Sequence, residues 1–427
     1  MGVALCGGTV VDLNPVHVAM RDVVLEDGHV VDRAPNDDDE RVDCTGCVIW
    51  PGMVCAHTHL YSGLARGMPL PKGPTRSFVE ILEQVWWKMD CALDEESLRM
   101  SVFAASMEAL RAGTTTLFDH HESPRFIDGS LDIIADALRQ VGLRGVLCYG
   151  ATDRHGDTDG QRGIAECKRF IERIKGDRML RGLVGLHAPF TVGPETLAAA
   201  VDAMKATSTG IHVHVAEALS DEVHSATKYN MPAVTRLSKA GALGPLSLVA
   251  HAVHVDEAEI RELARTDTPV IHNVRSNLNN AVGYQQPKRF KSMVTLGTDG
   301  MDGDMITEGR AVFHNGRRQY GPTDSVDALA LLQNNFKLAE RHFGGKFGAL
   351  QPGYVGDAVV TAYDPPTPLT ENTVFGHMFF GPSPWPVRDV VVDAQVVMRG
   401  GRFTLVDEAA LKHRCRETAQ KMWNKLS

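Results

Sequence analysis

The histidines and carboxylates of this 427-residue chain gather at a few short motifs whose spacing suits metal chemistry. His57-Thr58-His59 sets two imidazoles two residues apart, and on a strand side chains two apart point the same way, so both face one point. His212-Val213-His214 repeats the spacing and runs on to Glu217, Ala250-His251-Ala252-Val253-His254 closes a third apolar run, and Gly297-Thr298-Asp299 ends a fourth in a carboxylate. Either pair of histidines alone is an ordinary polar strand end. Three imidazoles and a carboxylate in such matching positions form a nitrogen and oxygen donor set suited to zinc or to iron, with a position left for water.

Groups so far apart in sequence need a scaffold that delivers strand ends to one place. Apolar stretches at 53–56, 114–118, 144–148, 182–186, 210–215, 247–250, 269–271 and 293–296 are interleaved with helical intervals such as 95–111, 129–141, 161–175, 194–206 and 255–264. Eight short strands in that alternation predict an α/β chain forming a closed (β/α)8 TIM barrel, whose reactive side chains stand at the C-terminal strand ends. The first fifty residues alternate and turn instead, and the same texture returns at 357–361, 387–392 and 396–398, which predicts a small β-sandwich built from both chain ends. The expected division is 1–50 for the first part of the sandwich, 51–350 for the barrel, 351–405 for the second part of the sandwich, and 406–427 for a C-terminal helix.

Composition removes several classes of function. Hydrophobic residues at 43% and charged residues at 23% are ordinary for a globular chain. Lys and Arg number 44 against 53 Asp and Glu, a net charge of −9 with no basic block, so nucleic acid is not an expected partner. No apolar run reaches the roughly 18 residues that span a bilayer, so neither is a membrane. Eight unevenly spaced cysteines, with no basic head and apolar stretch at the start, predict free thiols and a cytoplasmic location. Cys44-Thr45-Gly46-Cys47 lacks a second such pair and reads as incidental. His120-His121-Glu122 mimics the HxE of zinc nucleobase deaminases without their downstream Pro-Cys-x-x-Cys.

Taken together, Pro51-Gly52 before His57-Thr58-His59, His214 with Glu217, Ala250 to His254, His272-Asn273 with Ser276-Asn277, and Leu296 to Gly300 resemble the amidohydrolase superfamily, in its mononuclear metal-dependent deaminase branch. The likeness covers nearly the whole chain. Phe118 to His121 and Asn277 to Gly283 look most like the SsnA-type aminohydrolases. The resemblance implies that His57, His59, His214 and Asp299 hold one divalent metal, Zn2+ ahead of Fe2+, with Glu217 and His251 flanking it. Dinuclear relatives carry a bridging lysine at the end of the fourth strand, where this chain has Leu186-His187-Ala188-Pro189, so one metal is expected. Such a metal lowers the pKa of its water to about 7, and the hydroxide then attacks. Asp299 takes the water's proton, Glu217 protonates the ring nitrogen as general acid, His251 orients the attacking oxygen, and Asp299 returns the proton to the departing amine.

The implied reaction is hydrolytic deamination of an amino-substituted nitrogen heterocycle of purine, pterin, pyrimidine or triazine type, giving the oxo product and ammonia. Its rivals are hydrolysis of another C–X bond, as by a chlorohydrolase or cyclic amidine hydrolase, and an inactive metal-binding accessory protein. Retention of Glu217 and His251 weighs against the second. For substrate contacts the sequence offers His187 at the fourth strand end, His121 rather than its neighbour His120, Trp86 in the long segment after strand one, and Asn277 after strand seven, with Arg275 beside it. Ser62 occupies a place where some purine and pterin deaminases carry a glutamine. His212, one layer deeper than His214, is expected to be a buried, hydrogen-bonded histidine, and His254 and His272 to steady ligands. The expected partners are a small-molecule substrate and further copies of the chain, a homo-oligomer.

Overall fold

Short runs rich in Val, Ile and Leu, buried on both faces, make the central sheet, as parallel strands covered on both sides require. The computed structural model describes residues 2–69, 71, 73–322 and 326–426. Its barrel strands are β1 (Met53–Thr58), β2 (Thr114–His121), β3 (Arg144–Ala151), β4 (Val184–Leu186), β5 (Ile211–Val215), β6 (Leu248–His251), β7 (Val270–His272) and β8 (Val294–Leu296). Each pairs in parallel with the next, from β1 through to β8. A preceding segment, Leu180–Gly182, pairs with the start of β3, so the fourth strand is broken at Leu183.

The ring closes between β8 and β1. Backbone N–H groups of Thr298 and Asp299 both donate to His57 O, at 2.8 and 3.0 Å. Gly297 permits that approach, since a Cβ there would lie 2.5 Å from Asn273 Oδ1 and 2.7 Å from His57 Cβ. Buried Asn335, on the helix Ala328–Phe343, staples the seam: its amide donates to Val54 O and Leu296 O at 2.7 Å each and accepts from Leu296 N at 2.8 Å. Aspartates set where several outer helices begin. Asp94 and Asp256 form reciprocal capping boxes, and Asp304 and Asp407 accept from first-turn N–H groups.

Both chain ends build the remaining sheets. Thr9–Leu13, Val16–Met20 and Val48–Pro51 from the start join Ala358–Thr361, Val387–Val392, Gln395–Arg399 and Arg402–Phe403 from the end in one seven-stranded sheet. A four-stranded sheet of Val3–Cys6, Val23–Glu26, His29–Val31 and Glu40–Asp43 packs on it through a common core that includes Leu5, Leu25, Ile49, Val360 and Val391. The helix Glu408–Asn424 lies against Glu95–Arg111, where Arg414 pairs with Glu96 at 2.8 Å. Among the described residues no helix is long and apolar enough to cross a membrane, and the eight cysteines are free.

Candidate metal centre and substrate pocket

Four donors from three places in the ring converge at its C-terminal mouth. His57 and His59 come from the end of β1, His214 from β5 and Asp299 from the turn after β8, and their ligand atoms all lie within 4.8 Å of one another. Asp299 Oδ1 is 2.8 Å from His59 Nε2 and 3.4 Å from His57 Nε2. His214 Nε2 stands 3.2 Å from His59 Nε2.

The outer nitrogens explain why this set suits a cation. His59 Nδ1 donates to His120 O at 2.6 Å and His214 Nδ1 to His187 O at 2.8 Å. A neutral imidazole has one proton, and a carbonyl can only accept, so on both rings Nε2 presents a lone pair to the centre. His57 Nδ1 is 2.9 Å from His212 Nε2, and its own Nε2 is buried with no partner. Three lone pairs and a carboxylate oxygen aimed at one point repel one another unless a positive charge sits among them. Burial drives His57 down to about 4 and His214 well below the ordinary histidine range, which keeps those lone pairs free. For His59, burial opposes the charged ring, but the Asp299 carboxylate outweighs it and lifts the ring to about 9; a divalent ion would stand in for that proton.

Glu217 and His251 border the cluster. Glu217 Oε2 is 3.5 Å from His251 Nε2, and Oε1 accepts from Asn280 Nδ2 at 3.2 Å. Burial raises the Glu217 carboxyl to about 7, the nearby Asp299 charge adding to it and His251 working against it. His251 Nδ1 is held at 2.8 Å by Asn277 Oδ1. The backbone is strained at these strand ends: Ala216, His251, Ala252 and Asp299 have φ of 49°, 72°, 48° and 55°, a region that non-glycine residues seldom enter. Asp221, fully buried, accepts from Ala216 N at 2.6 Å and so holds the turn that presents Glu217.

Above the cluster opens a cavity of about 870 Å³, counting the space open to solvent. Its wall includes Trp86, Trp87, His187 and Phe190, with Glu217 and Asp299 at the metal end. The tryptophans lie at the junction of a five-residue π-helical turn, Leu82–Trp86, with the helix Trp87–Ala92; such turns recur where a helix has been reshaped around a site. His187 Nδ1 bonds to Thr191 Oγ1 at 2.7 Å, leaving Nε2 toward the cavity.

The remaining sequence candidates fall elsewhere. His121 is wholly buried, bonded to Ser123 Oγ at 2.7 Å, and does not line the cavity; its neighbour His120 is the one turned into the barrel, 4.4 Å ring to ring from His214. Asn277 is wholly buried and serves His251 instead of facing substrate. Arg275 points away and grips Glu308 at 2.6 Å. His212 is the buried, bonded histidine expected, backing His57. His254 bonds to Val282 O, and His272 packs on Tyr284. Ser62 lines the cavity while donating to His59 O at 2.7 Å.

Sequence reasoning missed a charged group in the wall. Arg154 Nη2 lies 3.0 Å from Asp90 Oδ2 and 2.6 Å from Glu122 Oε2, and its guanidinium stacks 4.6 Å above Trp87. Burial raises both carboxyls, Glu122 to about 8, with Arg154 opposing in each case. Asp90 Oδ1 has no partner and Asp90 lines the cavity. Only Glu122 had a sequence signal, its place after the two histidines; Asp90 and Arg154 stand in unremarkable helical and loop text.

A family model described as Amidohydrolase family matches residues 48–397. The chain is 28% identical over 425 residues to a 5-methylthioadenosine/S-adenosylhomocysteine deaminase of Desulforudis audaxviator, covering 94% of each. It is 28% identical over 390 residues to a 5'-deoxyadenosine deaminase of Methanopyrus kandleri, covering 88% of this chain and 86% of that one. Among solved structures it is similar in fold to a zinc-bound adenosine deaminase from Xanthomonas campestris, with TM-score 0.86 and 21% identity over 99% of this chain and 98% of the other. An atrazine chlorohydrolase from Arthrobacter aurescens complexed with zinc gives TM-score 0.83 and 20% identity over 98% and 100%.

Proposed function

The chain belongs to the amidohydrolase family and is a metal-dependent deaminase acting on the carbon–nitrogen bond of an amino-heterocycle, and we propose that its substrate is an adenine nucleoside modified at the 5' position and its metal zinc. The observation that carries this reading is that the four-donor cluster and Glu217 share one cavity whose wall also holds Trp86, Trp87, Phe190 and Asp90. Flat apolar walls suit a purine, and a carboxylate in the wall suits sugar hydroxyls. Curated relatives matching nearly the full chain act on 5-methylthioadenosine, S-adenosylhomocysteine and 5'-deoxyadenosine. Those relatives, rather than the SsnA-type likeness of 118–121 and 277–283, guide the substrate reading. Zinc is favoured over ferrous iron by the imidazole-rich donor set and by the zinc named for both structural neighbours. Free cysteines agree with a cytoplasmic setting, and a homo-oligomer remains our expectation for the assembly.

His57, His59, His214 and Asp299 would hold the metal, which supplies a water activated for deprotonation near neutral pH. Asp299 receives a proton from the attacking water through the oxygen not turned to the imidazoles. Glu217, its carboxyl raised by burial to about 7, gives its proton to the ring nitrogen beside the amino-bearing carbon. His251 Nε2 orients the oxygen that adds to the ring, Asp299 then passes its proton to the amino nitrogen, which leaves as ammonia, and the remaining hydroxyl proton of the adduct returns to Glu217 as the ring carbonyl forms. His187 Nε2 and Trp86 fix the plane of the ring.

The test is ammonia release by the zinc-loaded protein across adenine nucleosides, guanine, pterins, cytosine and amino-triazines. The highest kcat/KM is expected with 5'-methylthioadenosine or 5'-deoxyadenosine. Faster turnover of a pterin or a triazine would overturn the substrate assignment.

A further inference from the structure

The short helix Val274–Asn279 and the residue after it reach all three groups that move protons in the proposed reaction. Ser276 Oγ donates a short hydrogen bond to Asp299 Oδ2. Asn280 Nδ2 donates to Glu217 Oε1 at 3.2 Å and to Ser276 Oγ at 3.4 Å. Asn277 Oδ1 accepts from His251 Nδ1 at 2.8 Å. Ser276 and Asn280 are one helical turn apart and share a face, while Asn277 is turned by about 100° toward β6.

This segment is itself fixed from behind. Glu308, wholly buried, accepts from Arg275 N at 3.1 Å and from Arg275 Nε at 2.6 Å, and Arg275 also reaches Asp302 Oδ1 at 2.8 Å. A residue in the turn is thereby clamped through both backbone and side chain.

Asp299 turns Oδ1 toward His57 and His59. Rotation about χ2 of an aspartate is broad and two-fold, so this choice of oxygen needs something to hold it. The single proton of the Ser276 hydroxyl goes to Oδ2, and its lone pair accepts from Asn280. The chain therefore runs from Asn280 through Ser276 to Asp299. By donating also to Glu217 Oε1, Asn280 makes that oxygen an acceptor and leaves Oε2, on the His251 side, as the oxygen that bears the acid proton.

We propose that Ser276 is a positioning residue for the deamination: its hydroxyl decides which oxygen of Asp299 faces the cation and which handles the proton, and Asn280 ties that choice to the orientation of Glu217. This rests on the roles given above to Asp299 and Glu217.

The test uses the full-length, zinc-loaded protein and the variants Ser276→Ala, Ser276→Thr, Asn280→Ala and Ser276→Ala/Asn280→Ala. In excess zinc, Ser276→Ala should lower kcat by about tenfold or more while KM stays within about twofold, and Ser276→Thr, which restores a hydroxyl, should recover most of the loss. The double variant should lose much less than the product of the single losses, because both residues act in one chain. A second readout needs no substrate: a chelator should strip zinc several-fold faster from Ser276→Ala than from wild type, with Ser276→Thr close to wild type. Wild-type silence on every substrate together with faster zinc loss from Ser276→Ala would sink the functional reading and leave the positioning intact. Unchanged zinc loss, or Ala and Thr variants equally impaired in kcat with zinc bound, would overturn the proposal.

Discussion

The two ends of the barrel handle buried charge in opposite ways. At the N-terminal end, where the barrel meets the sheet from the chain ends, Arg144 pairs with Asp357 at 3.0 Å, both side chains 3% exposed, and Asp357 also accepts from Thr115 Oγ1 and Asp393 N at 3.0 and 2.8 Å. Phe343 and Phe347 flank the guanidinium. The carboxylate has its partners and the network ties β2 and β3 to the second half of the outer sheet. At the C-terminal end, His57 Nε2, His251 Nε2 and Asp90 Oδ1 make no hydrogen bond, whereas within the network at the other end only Arg144 Nε makes none, and four residues sit in a left-handed backbone region. Unmet buried polar atoms and strained turns cost stability, so they persist where the surroundings impose them and a ligand completes them. One end holds the fold and the other end is held by it.

Substitutions at the two ends should therefore fail in different currencies. Asp299→Ala is expected to bring ammonia release down to the level of zinc-free protein and to weaken zinc retention, while the zinc-free variant melts no lower than zinc-free wild type. Undiminished turnover would refute the assignment of Asp299. Glu217→Gln should keep its zinc and a KM near that of wild type but lose about 10²–10⁴ in kcat, the range for a lost general acid. At the opposite end, Arg144→Met strands a buried Asp357 and should destabilise by about 3–5 kcal/mol in denaturant unfolding, with kcat per folded molecule unchanged. Asn335→Leu, at the seam, should cost about 1–3 kcal/mol for each backbone group left unmet, again with little effect on kcat.

The smallest effect concerns Asp221, whose burial raises its carboxyl to about 7. Between about pH 4 and pH 7 the native state keeps a proton that the unfolded chain has released, so this residue makes stability fall as pH rises through that window. Compared with Asp221→Asn, wild type should lose stability progressively from pH 4 to pH 7 and no further above it. Parallel pH profiles for the two proteins would show that Asp221 is ionised in the folded state.

What the sequence makes legible follows from periodicity. The eight strands, and the polar side chains gathered at their ends, are readable because a two-residue period on a strand sets two side chains on one side, and a strand's end is marked by the return of polar residues; the choice of His57, His59, His214 and Asp299 as one ligand set comes from the family resemblance. Along β2 the alternation says that only one of His120 and His121 turns inward but not which, because every residue of that strand is buried, and it is His120. Asn277 was legible as a polar residue near the mouth, but a helix starting at Val274 turns it to His251. Asp90 and Arg154 are 64 positions apart and meet only because the segment after β1 folds back over the loop after β3, a long-range contact with no local signature.

Catalysis here requires that His57, His59, His214 and Asp299 take up one ion together. Protein stripped of metal and dialysed against graded zinc should bind one zinc per chain, with release of ammonia from 5'-methylthioadenosine rising in proportion to occupancy, and His214→Ala should show neither. Full activity in the stripped protein, or in His214→Ala without bound zinc, would contradict it.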